Sequence, residues 1–184
     1  MPKRILLLAS GSGSLAQAIL DAEVFHKADF VGLISDKESL ALDRARAHGV
    51  KDFYLPMKAD RREWNREIFE LVQSLRPDLV VSVGFMRILA ADFVSEFKVM
   101  NTHPALLPLF PGAHAVRDAL AAGASQTGTT VHWVDAGVDT GPVISQREVA
   151  ILPTDTEESL HERIKIAERN LIVETLTHWI DGAL

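Results

Sequence analysis

Two apolar runs, Ile5-Leu6-Leu7-Leu8-Ala9 and, broken only by a serine, Leu79-Val80-Val81-Ser82-Val83, restrict the fold more than any other feature. A strand with one wet face alternates apolar and polar residues, because successive side chains point to opposite faces. These runs do not alternate, so both faces must be covered. Parallel sheets meet that demand, since their crossover helices pack on both sides. Helical patterns fall where such crossovers belong, over 14–24, over 39–48 with a stop at Gly49, and over 60–75. In the last of these, Trp64, Ile68, Leu71 and Leu75 recur at spacings of three and four. The expected fold class is therefore α/β: a doubly wound, mostly parallel sheet with helices on both faces.

Further strands are expected at 29–35, near 52–55 and at 97–102, with a short helix near 90–95. Past residue 104 the rhythm changes. A proline-rich loop at 104–113 precedes a short helix at 114–122 and two strands near 127–134 and 142–150. Thr154-Asp155-Thr156-Glu157 offers a capping box for a terminal helix running to about 180. No linker or repeat interrupts the chain. The second half reads as a completion of the sheet, and residues 1–184 are expected to form a single domain.

Several functional classes drop out on composition. The net charge of -6 gives no electrostatic footprint for nucleic acid. The absence of cysteine excludes disulfides, thiolate metal sites and a cysteine nucleophile. It suits a cytoplasmic chain, the localisation expected here. The first apolar run spans about five residues, shorter than the roughly seven of a leader's apolar region, and reads as a buried strand. No stretch approaches the roughly twenty apolar residues of a membrane span. His114, His132, His161 and His178 show no metal-ligand spacing, and no metal is expected.

Four constellations carry chemistry. Asn101 and His103 stand two apart at a strand's end, so both point the same way, just before a loop held by Pro104, Pro108 and Pro111. An amide donor beside a titratable imidazole can polarise a carbonyl and move a proton. Gly11-Ser12-Gly13-Ser14-Leu15-Ala16 follows the first strand and fits a phosphate loop, although a tight turn would use the same residues. The run also matches a dinucleotide fingerprint, with Asp36 ending the second strand. Asp135 to Asp139 form an acidic loop between two strands. It serves either as turn chemistry or, through Asp139, as a carboxylate that orients His103. Gly84 to Leu89 leave the fourth strand as core residues or as the wall of an apolar slot. His132 lies near the acidic loop and is placed to face the site. Together these parts describe transfer of a small carbonyl group between a phosphorylated substrate and a flat, partly apolar cofactor.

The chain closely resembles the folate-dependent glycinamide ribonucleotide formyltransferases. Four segments carry the resemblance: Gly11-Ser12-Gly13-Ser14; Gly84-Phe85-Met86-Arg87-Ile88-Leu89; Asn101-Thr102-His103-Pro104-Ala105-Leu106-Leu107-Pro108 with Pro111-Gly112; and Asp139-Thr140-Gly141-Pro142. The resemblance implies the following roles. Asn101, His103 and Asp139 are catalytic. Gly11, Ser12, Gly13, Ser14, Leu15, Lys165 and Glu168 hold the ribonucleotide. Arg61, Met86, Arg87, Ile88, Leu89, Asp135, Ala136, Gly137 and Val138 contact the folate. The co-substrate would be 10-formyltetrahydrofolate and the acceptor glycinamide ribonucleotide, with no nucleic acid and no membrane partner; a homodimer is left open. Two departures stand out. Leu15 replaces a frequent asparagine, so a phosphate contact there must come from the backbone or Ser14. The terminal helix reads Glu168-Arg169-Asn170-Leu171, without the Tyr-Pro pair many members carry. A formyltetrahydrofolate hydrolase, a dinucleotide-binding oxidoreductase and a non-catalytic nucleotide-binding module remain open as alternatives.

Overall fold

The structure, a computed structural model, describes residues 1–184. Strands β1 (Arg4–Ala9), β2 (Asp29–Ser35), β3 (Asp52–Tyr54), β4 (Leu79–Ser82), β5 (Val99–His103), β6 (Gln126–Trp133) and β7 (Val143–Ala150) form one sheet. Helices α1 (Ser14–Leu20), α2 (Leu40–Ala47), α3 (Arg61–Leu75), α4 (Ala91–Glu96), α5 (Ala115–Ala121) and α6 (Glu157–Ile180) complete the chain. The strand order is β3-β2-β1-β4-β5-β6-β7. Strands β1 to β5 pair in parallel, while β6 is antiparallel to both β5 and β7.

The chain winds outward from β1 in one direction and returns to β4 on its other side. The switch point therefore lies between β1 and β4, where open α/β sheets bind ligands at the carboxyl ends of their strands. The segments leaving β1 and β4 are the glycine loop and the apolar segment singled out above.

Alternation along β1 separates the two layers. Ile5, Leu7 and Ala9 pack with α1, α2 and the α6 residues Leu171, Ile172, Leu176 and Trp179. Leu6 and Leu8 pack with Trp64, Ile68 and Val72 of α3 and Phe93 of α4. Each such leucine contributes roughly 1.5–3 kcal/mol by leaving water.

Two local expectations change. The helix expected over 14–24 ends at Leu20, and a separate 3-10 turn, Glu23–Lys27, follows. That turn brings the chain back to the amino end of β2 with Val24 buried and Phe25 against Phe30, ring centroids 5.2 Å apart. The cap of α6 is Thr156 with Ser159, not Thr154 with Glu157. Asp155 explains the shift: its carboxylate accepts from the Leu152 amide at 2.7 Å and pairs with Arg163, so winding starts at Glu157. No helix is long and apolar enough to cross a membrane.

Candidate active site

The end of β5 sets the geometry. Val99 belongs to the α3 layer and Met100 to the α6 layer, so by alternation Asn101 and His103 share one face and Thr102 takes the other. The antiparallel register pairs Asn101 with His132 of β6, which adds a third polar side chain to that face. Asn101 Nδ2 lies 3.1 Å from His132 Nε2. His132 Nδ1 is 3.0 Å from the Trp133 carbonyl. His103 is buried; its Nδ1 lies 3.3 Å from Asp139 Oδ2 and its Nε2 2.8 Å from the Phe110 carbonyl. The other oxygen of Asp139 stands 3.6 Å from His132 Nε2.

Asp139 reaches this position from the β6–β7 loop by taking a left-handed backbone conformation, φ 55. Burial pushes its carboxyl up. The His132 ring 3.6 Å away, the Gly112 amide at 2.8 Å and the charges that His103 and His132 carry when protonated outweigh that effect and hold it below the usual carboxylate range. The result is an ionised carboxylate between two imidazoles beside an amide donor, able to hold and pass a proton next to a developing oxyanion. His132 stood outside the expected catalytic set. Its strand position was legible, but its pairing with β5 was not.

At the other side of the switch point, Gly13 adopts φ 70 and opens α1. The first amide bond of the helix runs from Gln17 to the Gly13 carbonyl at 2.8 Å, so the amides of Ser14, Leu15 and Ala16 precede any intrahelical bond. Gly11 and Ser12 are exposed at this end, and the Ser12 carbonyl is held by Arg44 Nε at 2.9 Å. Leu15 turns into the core, which leaves only its backbone at the loop. The glycine at 13 serves a close approach within the protein: a Cβ there would sit 2.7 Å from Ala41 Cα on α2.

The apolar segment after β4 is fastened at three points. The Met86 amide donates to Ser10 Oγ at 2.8 Å, Arg87 Nε donates to Asp36 Oδ2 at 2.6 Å, and Arg61 donates to the Ile88 carbonyl. Between these anchors the Met86 and Ile88 side chains remain 69% and 66% exposed, while Leu89 packs toward the core. A fixed backbone presenting exposed apolar side chains is the surface a flat ligand needs. Arg61 also lies over Trp64, 4.6 Å from the ring centroid, and burial together with the Arg87 charge lowers its pKa. Both arginines expected at the folate thus have partners within the protein. Asp36, the acid a dinucleotide fingerprint would offer to a ribose, is fully buried beneath Arg87, and that reading fails on this contact.

The remaining expected residues divide. Asp135 folds its own loop, accepting from Thr140 Oγ1 at 2.7 Å and the Gly137 amide at 3.0 Å; these bonds lower its pKa. Ala136, Gly137 and Val138 form the exposed crest of the loop. Glu168 of α6 is buried behind β5, beside Thr102. Burial pushes its carboxyl up, and the Thr102 hydroxyl and the Lys165 and Arg169 charges offset this only in part. Lys165 pairs with Glu162 at 2.7 Å.

Residues 3–176 match the Formyl transferase family. A phosphoribosylglycinamide formyltransferase of Mycobacterium tuberculosis is 49% identical over 94% of this chain and 82% of its own length. The enzyme of that name from Escherichia coli (strain K12) is 38% identical over 98% of this chain and 88% of its own. The crystal structure of glycinamide ribonucleotide transformylase 1 from Symbiobacterium toebii superposes with a TM-score of 0.93 at 37% identity, covering 98% of this chain and 89% of that one.

Proposed function

The chain belongs to the formyl transferase family, and on that premise we propose that it transfers a formyl group from 10-formyltetrahydrofolate to the amine of glycinamide ribonucleotide, a step of de novo purine biosynthesis. All 184 residues are read as one formyltransferase domain. One observation carries the proposal: Asn101, His103, His132 and Asp139 converge at the β5 exit, between a glycine loop with free helix-terminal amides and a fastened apolar wall.

The phosphate meets the Gly11–Leu15 turn, where the amides of Ser14 and Leu15 are unpaired and at the positive end of α1. On the family resemblance, Lys165 and Glu168 of α6 are assigned to the ribonucleotide, Glu168 from its buried place beside Thr102. The folate lies along Met86 to Leu89 and the 135–138 crest, with Arg61 and Arg87 holding that wall in place. The amine nitrogen attacks the formyl carbon, and the carbonyl oxygen becomes an oxyanion that the free N–H of Asn101 and the charge of protonated His103 stabilise. The proton leaving the amine passes through His103 and Asp139 to the departing folate nitrogen as the carbon–nitrogen bond to the folate breaks. Orientation and oxyanion stabilisation supply the rate enhancement.

The test is an assay with purified protein and both substrates. Formylated ribonucleotide and tetrahydrofolate should appear in equal amounts, and only when the acceptor is present. Formate released at the same rate without glycinamide ribonucleotide would instead identify a hydrolase.

A further inference from the structure

We infer that the loop after β5 sets the tautomer of His103, with Phe110 acting as a positioning residue through its backbone carbonyl. A carbonyl oxygen only accepts hydrogen bonds. The 2.8 Å contact between His103 Nε2 and the Phe110 carbonyl therefore puts a proton on Nε2. The ring is buried, so the loop carbonyl is its partner at that end. Nδ1 is then the nitrogen whose proton can change hands, and it faces Asp139 Oδ2 at 3.3 Å. That separation exceeds the roughly 2.7–2.9 Å of a tight charge-assisted bond, which leaves Nδ1 uncommitted enough to exchange.

The same loop touches the carboxylate. Phe110 and Gly112 have φ values of 53 and 90, both left-handed, and this curls the loop back over the strand end. The Gly112 amide donates to Asp139 Oδ2, the oxygen that faces His103. On the opposite side, neutral His132 has the reverse tautomer for the same reason. Its Nδ1 donates to the Trp133 carbonyl, and its Nε2 accepts from Asn101 Nδ2; only when the ring is protonated does Nε2 carry a hydrogen toward Asp139. Two backbone carbonyls thus present His103 Nδ1 and His132 Nε2 to the two oxygens of one carboxylate. Setting a histidine's tautomer through the bond at its other nitrogen is a general device of acid–base sites.

The catalytic consequence rests on the formyl-transfer reading, but the tautomers do not, and the experiment separates them. Protein labelled with 15N-histidine is studied by NMR without substrates, and the ring signals are assigned with His103→Gln and His132→Gln variants. The expected result is a protonated-type Nε2 in His103 and a protonated-type Nδ1 in His132. An unprotonated-type Nε2 in neutral His103 overturns the inference. Phe110→Pro tests the loop directly: proline holds φ near about −65°, which swings the carbonyl away. Phe110→Ala keeps the carbonyl and is the control. The proline variant should show mixed His103 tautomers and a lower kcat with KM values little changed, and the alanine variant should keep the Nε2–H tautomer. A folded proline variant with an unmixed Nε2–H tautomer removes Phe110 from this role. If the proline variant does not fold, the wild-type spectrum alone decides.

Discussion

Asn101 and His132 face each other across the β5–β6 pair, with Nδ2 and Nε2 3.1 Å apart. The contact turns the amide of Asn101 so that one N–H is held by the imidazole and the other is free for an acceptor. His132 is therefore expected to matter through Asn101. His132→Ala should lower kcat while leaving the ribonucleotide KM near wild type, and His103→Ala should remove about 10²–10⁴ of the rate. Steady-state kinetics on both variants decide this. A His103→Ala enzyme within a few-fold of wild type would take that residue out of the chemistry.

Asp139→Asn should lower kcat far more than it raises either KM, since proton handling is felt mainly in the transition state. The same substitution should change acid stability. The Asp139 carboxyl is held below its ordinary value in the folded state. Its contribution is therefore present above the unfolded value of about 3.9 and is lost as pH falls through the lower folded value. The difference in Tm between wild type and Asp139→Asn should be larger at pH 7 than below pH ~3. A difference independent of pH would count against the ion cluster.

Glu168 carries the opposite sign. Burial raises its carboxyl in the folded state, so its contribution is present at low pH and declines as pH rises through the raised value. Glu168→Gln keeps the shape and cannot ionise. Its Tm relative to wild type should rise as the pH is taken upward from the ordinary glutamate value of about 4.3. If the two Tm curves run parallel, Glu168 is not strained by its burial.

Gly13→Ala should destabilise the fold before it affects ligand binding. The added Cβ meets Ala41 at 2.7 Å, and φ 70 disfavours any side chain. Overpacking of this kind costs about 1–3 kcal/mol, visible as a lower midpoint in urea unfolding. Leu15→Ala should also destabilise, by about 2–5 kcal/mol, because that side chain is core. Its calorimetric affinity for glycinamide ribonucleotide should stay near wild type at a temperature where it is folded. A large loss of affinity in folded Leu15→Ala would mean that the side chain, not the amide, serves the phosphate.

Much of this molecule is written locally. The unbroken apolar run of β1 required cover on both faces, and Leu6 and Leu7 do enter different layers. The two-residue spacing of Asn101 and His103 put them on one face, since strand alternation is a property of neighbouring residues alone. The glycine loop and the Met86–Leu89 segment were marked by composition and by their places after strands. The corrected details were the early end of α1 and the two-residue shift of the α6 cap, the latter set by the bonds of Asp155 to Leu152 and Arg163.

What only the tertiary structure decided depends on strand order and on loops that fold back. His132 joins the site because β6 pairs antiparallel with β5 in a register that sets it opposite Asn101. Asp36 is closed off by Arg87, 51 residues away, although its position matched a dinucleotide fingerprint. The Phe110 carbonyl and the Gly112 amide reach His103 and Asp139 through left-handed turns that their residue types alone do not require. Periodicity is encoded by adjacent side chains and can be read from them. Register and loop return are set by the burial of the whole sheet, a balance no single segment contains.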